Sequence, residues 1–226
     1  MTTTNLPTTT AGILTLTQSN GLKAGKALEQ IAVTDGDAAM MAVVHEMGVF
    51  NFAKVARSHD ATIECIALSQ MSAEDIAELL LVDPSYWKGP LSSEGGFTVH
   101  IQSDAQTLLS QLFLSDIAED KLKEVLDILL QNKFGLMYLS VPFLDVEIQE
   151  FDEDDMHENI YLECVSGSPS ELLFKIKYLS SEAYSGILEI LENGNLSYIT
   201  SILQDNANAA ALGDVAEDTK DMFVQM

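Results

Sequence analysis

Asp145, Glu147, Glu150, Asp152, Glu153, Asp154, Asp155, Glu158 and Glu163 crowd nineteen positions that contain no lysine or arginine. Clustered carboxylate oxygens suit hard divalent cations, and a twelve-residue calcium loop starting at Asp152 would match at Asp152, Asp154 and Glu163. Its fifth and sixth positions are Met156 and His157, where a ligand and a turn-forming glycine are needed. The loop starting at Asp35 fails in the same way at Ala39 and Met40. The cluster therefore reads as a solvated acidic edge, and its functional use would be the docking of a basic protein at Asp152, Glu153, Asp154, Asp155 and Glu158. The alternative is a divalent-metal-dependent regulator or enzyme built on the same Asp152–Glu158 carboxylates.

The second constellation is aromatic. Tyr86 and Trp87, the single tryptophan, stand between Pro84 and Pro90 directly after an apolar helical run. Such a pair either anchors a partner or staples its loop to the core, and both residues are candidate interaction residues. His45-Glu46 lacks the second histidine of a zinc helix, because Val49 stands there. His45, His59, His100 and His157 show no ligand spacing, Ser166-Gly167-Ser168 lacks nucleophile-elbow spacing, and no glycine-rich phosphate loop occurs. The sequence thus predicts no catalytic residue, no bound metal and no cofactor.

These residues sit in a chain of 226 residues with 11 basic and 35 acidic side chains, a net charge of −24. Phosphate backbones demand Lys and Arg, and Arg57 is the only arginine. The balance argues against nucleic acid and anionic membrane surfaces and favours a basic protein partner. Cys65 and Cys164 form no C-x-x-C pair and read as reduced, buried thiols. The start of the chain lacks the basic, then apolar pattern of a secretory signal. No run approaches the eighteen apolar residues of a membrane span, so the expected compartment is the cytoplasm.

The elements are read from periodicity. Residues 1–20 are expected to be a flexible Thr-rich leader in which Ile13, Leu14 and Leu16 could dock locally. An N-terminal helical region follows over 21–88, with helices over Leu22–Val33 and Ala38–Arg57; Gly48 marks a break in the second. Asp60 and the Thr34–Asp37 stretch offer caps, and Ser72-Ala73-Glu74-Asp75 resembles a capping box before Ile76, Leu79 and Leu80. Asp83-Pro84 ends that helix. Met71–Leu80 also resembles helix starts in the cytosolic helical-repeat domain of MgtE-type magnesium transporters, a resemblance of helix starts that carries no function with it.

A C-terminal helical region is expected over 97–204, with the acidic insertion 145–163 inside it. Phe97–Ile101 and Leu144–Ile148 alternate as short strands would. Ser103 with Gln106, and Asp116 with Glu119, read as further helix starts. Ser168-Pro169-Ser170-Glu171 is a strong one, Ser180-Ser181 a break and Asn193-Gly194 a stop. Residues 205–226 form a flexible or docking tail. Leu68-Ser69, Leu114-Ser115 and Leu179-Ser180 each lead into a similar helix and lie 46 and 65 residues apart. Allowing for an insertion, that spacing suits a stacked helical unit of about 40–47 residues.

The expected fold is mainly α: a helical bundle or short stack of hairpins, HEAT- or armadillo-like, with at most one or two short strands. The expected function is a non-enzymatic adaptor, scaffold or chaperone-like subunit that binds a protein partner. A structural subunit of a larger assembly would look the same at this level.

Overall fold

A computed structural model describes residues 9–58, 65–87, 96–145 and 168–224, with 96–100 and 211–224 given as helical backbone only. The protein is mainly α-helical, and no strand occurs among the described residues. Helices α1 (Thr10–Ser19), α2 (Gly21–Asp35) and α3 (Asp37–Ala56) pack on one another at the N-terminal end. The short α4 (Ile66–Gln70) and α5 (Ala73–Val82) follow, and α5 runs into a 3₁₀ turn, Asp83–Tyr86. Then come α6 (Gly96–Phe113), α7 (Glu119–Leu130), α8 (Lys133–Ser140) and a second 3₁₀ turn, Val141–Phe143. The last three helices are α9 (Pro169–Leu179), α10 (Ser181–Asn193) and α11 (Leu196–Val224).

The periodicities explain the core. Leu122, Val125, Leu126 and Leu129 of α7 recur at three- and four-residue spacing and are buried together. Ile76, Ala77, Leu79 and Leu80 do the same on α5, which lies between α3 and α7. Each large aliphatic side chain sealed this way contributes about 1.5–3 kcal/mol. One continuous apolar cluster runs from Ile13 of α1 to Leu203 of α11, so the helices share a single core.

Local chemistry sets the boundaries. Ser72 Oγ accepts from the Asp75 amide at 3.1 Å and Ser168 Oγ from the Glu171 amide at 3.2 Å, with Pro169 in the first turn of α9. Ser180 Oγ caps α10 through the Ala183 amide at 3.2 Å, and Gly194 follows its end. Gly48, at φ +75°, breaks the run of helical dihedrals inside α3, a conformation open to glycine at little steric cost. Asn51 Nδ2 donates to the Met47 carbonyl at 2.9 Å beside that kink.

Several expectations require correction. Phe97–Ile101 is helical, because Ile101, Ala105, Leu108, Leu109 and Leu112 extend a helical apolar face that outweighs five alternating residues. Ser103 and Gln106 lie inside α6 and open no helix. Helix α7 is flanked by Ala118 with no side-chain cap, and α3 by Gly36, also without one. The leader is a helix from Thr10 onward: Thr9 caps it, Ile13 and Thr17 are buried, and Lys54 Nζ donates to the Gln18 carbonyl at 3.0 Å. Asp83 keeps α-helical dihedrals (φ −51°, ψ −41°) despite preceding proline, and the chain tightens into the 3₁₀ turn. Beyond Asp205 the helix continues, with Ala207 buried.

Asp60 and all of Leu144–Ile148 beyond Asp145 lie outside the described residues. Leu68-Ser69 lies within α4, just ahead of the α4–α5 corner, whereas Leu114-Ser115 and Leu179-Ser180 join α6 to α7 and α9 to α10, and the three corners close differently. Ser72 caps the first, no side chain caps the second, and Ser180 itself caps the third.

Candidate functional site

The most heavily perturbed polar groups meet where α3, the Asp83–Tyr86 turn, α6 and α8 converge. Asp83 is 1% exposed. Its Oδ2 accepts from the Tyr138 hydroxyl at 3.0 Å and from the Trp87 indole Nε1 at 3.2 Å. Its Oδ1 lies 3.7 Å from Arg57 Nε and has no hydrogen-bond partner among the described residues. Arg57 reaches onward, Nη2 donating to Asp104 Oδ2 at 2.6 Å.

The local sequence dictates this placement. Arg57 follows the last turn of α3, just after the buried Phe52, Ala53, Val55 and Ala56. Asp83 is turned inward because it continues the helical sense of α5 into the 3₁₀ turn. Tyr138 belongs to α8, where Gly135 permits close packing: a Cβ there would stand 2.5 Å from the Leu129 carbonyl oxygen.

Burial pushes the Asp83 carboxyl above its ordinary range, opposed first by the Arg57 charge and then by the two hydrogen bonds. Tyr138 is pushed up by burial and by the neighbouring carboxylate. Tyr86 shifts upward for the same two reasons, in the same order. An isolated carboxylate would not survive in this interior, and the cation and donors are what make it tolerable.

Clefts occur elsewhere among the described residues. One, of about 140 Å³, opens at the α3 kink and is lined by Val44, His45, Gly48, Val49, Met71 and Asp75. A smaller apolar one, about 20 Å³, lies between α2, α3 and α4. Neither is lined by Asp83, Arg57 or Tyr138; the node itself joins residues of α3, the Asp83–Tyr86 turn, α6 and α8.

The aromatic pair singled out in the sequence falls on this node. Trp87 is 2% exposed and stacks on Tyr138 with centroids 6.1 Å apart and planes 16° from parallel. Gln204 of α11 donates to its carbonyl. Tyr86 is half-buried, donates to the Phe50 carbonyl and packs on the Phe50 ring at 5.2 Å. Asp152, Glu153, Asp154, Asp155 and Glu158 lie outside the described residues, as do Cys164, His59 and His157.

Neither residue type nor spacing in the sequence singled out Arg57, Asp83, Asp104 and Tyr138 as a site. One signal was available: the only arginine of a strongly acidic chain ends an apolar helical stripe, where a charged residue needs a partner. Lys121, on the polar side of α7, forms a second long-range contact. Its Nζ donates to the Ser69 and Met71 carbonyls at 2.8 and 3.0 Å, closing the C-terminal end of α4. Exposed aromatic chemistry lies elsewhere, at Tyr178 (60% exposed) and Tyr198 (66%).

Fold and node define a mainly helical protein in which an N-terminal helical layer is clasped to a larger C-terminal set across one core. Family models divide the chain at the same seam: residues 2–70 match the AtcB N-terminal domain and residues 73–218 the AtcB C-terminal domain. The chain belongs to the AtcB family. It is 25% identical over 189 residues to adaptation to cold protein B of Shewanella oneidensis, covering 84% of this chain and 73% of that protein. No solved structure matches it. The ion pair from Arg57 to Asp83 and the hydrogen bond from Tyr86 to Phe50 both cross from one family segment to the other.

Proposed function

We propose that this protein is a non-enzymatic helical interaction module that binds a basic protein partner, and that it serves adaptation to cold, as the name of its relative says of that protein. The observation that carries the proposal is the exposure of Tyr178 and Tyr198 on helices anchored in the core, in a chain of net charge −24. Tyrosines held on rigid elements give contact area at low entropic cost and are enriched among interface hot spots. The acidic field would speed the encounter with a basic surface and make it salt-dependent. The buried Asp83 node supports the reading as scaffold chemistry, since its cation and its hydrogen-bond donors come from both family segments.

The test is affinity capture of the tagged protein from cells of its own organism, at low and moderate salt, with proteins identified by mass spectrometry. A stoichiometric basic protein that is lost as salt rises is expected. Absence of any stoichiometric partner at either salt would overturn the reading. For the cold-related part, deletion of the gene should slow growth at low temperature and leave growth at the ordinary temperature unchanged.

A further inference from the structure

We infer that the outward shoulder of α10 is the docking surface for a basic amphipathic helix of a protein partner, an inference that rests on the interaction-module reading above. Ala183 and Ile187 bury one side of α10 completely. Tyr184, Leu188 and Leu191 stand at i, i+4 and i+7 on the adjoining side and are only half-buried. At about 100° per residue these three fall within a narrow stripe; Tyr184 and Leu191 pack against the core yet stay part-exposed, and the part-exposed Leu188 stands between them, so among the described residues the apolar arc of α10 extends past the side that is fully buried. Tyr198, beyond the Asn193-Gly194-Asn195 corner, adds a second exposed ring near the end of that helix.

Charge selects the occupant. Glu182, Glu189 and Glu192 are exposed on α10, which contains no lysine or arginine. Lys177 of α9 lies 5.1 Å from the Tyr184 ring at the N-terminal end, and the Leu188–Glu192 stretch is purely apolar and acidic in sequence. A second copy of the chain would set −24 against −24, and an acidic peptide would meet the glutamates head-on. A helix with leucines on one face and lysines along its flanks satisfies both the stripe and its rim, the usual helix-in-groove mode.

The probe is a fluorescent peptide of leucine and lysine patterned as an amphipathic helix, with a leucine–glutamate counterpart, titrated by anisotropy against the full chain. The lysine peptide is expected to bind and the glutamate peptide not to. Leu188→Ala should weaken binding about tenfold, and Glu189→Lys with Glu192→Lys should abolish it. The same charge change on the exposed face of α7, Glu124→Lys with Asp127→Lys, should leave most of the affinity. Unaltered melting curves certify the fold of each variant.

Equal losses in both double variants would mean diffuse electrostatics and overturn the site, as would no binding by the unaltered chain. If the natural partner is still captured by the α10 variants, the docking site falls while the interaction reading stands. If the unaltered chain captures no partner, the reading falls on its own evidence.

Discussion

Arg57 and Asp83 approach to 3.7 Å at the boundary between the two family segments, and the chain has no other arginine. The guanidinium serves two carboxylates at once, the buried Asp83 and the half-exposed Asp104. Removing it would strand a carboxylate in the core. The Arg57→Ala variant is expected to lose about 3–5 kcal/mol of stability, the typical cost of leaving one partner of a buried pair uncompensated. Urea denaturation followed by circular dichroism measures the loss, and a change under 1 kcal/mol (about a fivefold change in the folding equilibrium) would show that the pair holds little.

The same carboxyl sets a pH dependence. Its folded-state affinity for a proton is raised by burial above the ordinary value of 3.8, so between that value and its folded one the native state binds more protons than the unfolded state. Stability from this group is therefore full below the unfolded value and declines as pH rises through the folded one. Asp83→Asn removes the titration. The difference in unfolding free energy, native chain minus variant, should fall as pH is raised from about 3.8; a difference independent of pH would contradict the assignment.

At the α7–α8 corner the decisive contact involves backbone. A Cβ on Gly135 would stand 2.5 Å from the Leu129 carbonyl oxygen and 2.8 Å from its Cα. No rotamer can relieve such an overlap, so Gly135→Ala should destabilise by about 1–3 kcal/mol through a forced shift of α8. Near-ultraviolet circular dichroism of Tyr138 and Trp87 would report the displacement, and an unchanged spectrum with unchanged stability would refute it.

Glu119 accepts from Lys175 Nζ at 2.9 Å, and this hydrogen bond is the main reason its carboxyl titrates below the ordinary 4.5. In Lys175→Ala the Glu119 midpoint, read from side-chain carbonyl chemical shifts, should rise toward that value. An unmoved midpoint would assign the shift to another neighbour.

Much of the helical scaffold was legible in the residues themselves. The α7 face could be read from Leu122, Val125, Leu126 and Leu129, and the starts of α5 and α9 from Ser72 and Ser168, because helical period and capping are chemistry between near neighbours in the chain. The break at Gly48 was legible for the same reason. Where signals were short, long-range packing prevailed. Five alternating residues at Phe97–Ile101 lost to the apolar face that continues through Leu112, and a threonine-rich start became a helix once Ile13 found the core.

The node was another matter. Composition showed that Arg57 was alone and that Trp87 was unusual, but not that both would meet Asp83. Arg57 and Asp104 are 47 positions apart, Asp83 and Tyr138 are 55, and Gln204 is 117 from Trp87. No local periodicity encodes such pairings. The sequence by itself determined most of the helical stretches, their apolar faces and the net charge of −24. Only the tertiary structure decided which polar side chains share the interior, because a charge can be buried only where the packing of distant helices delivers its partners.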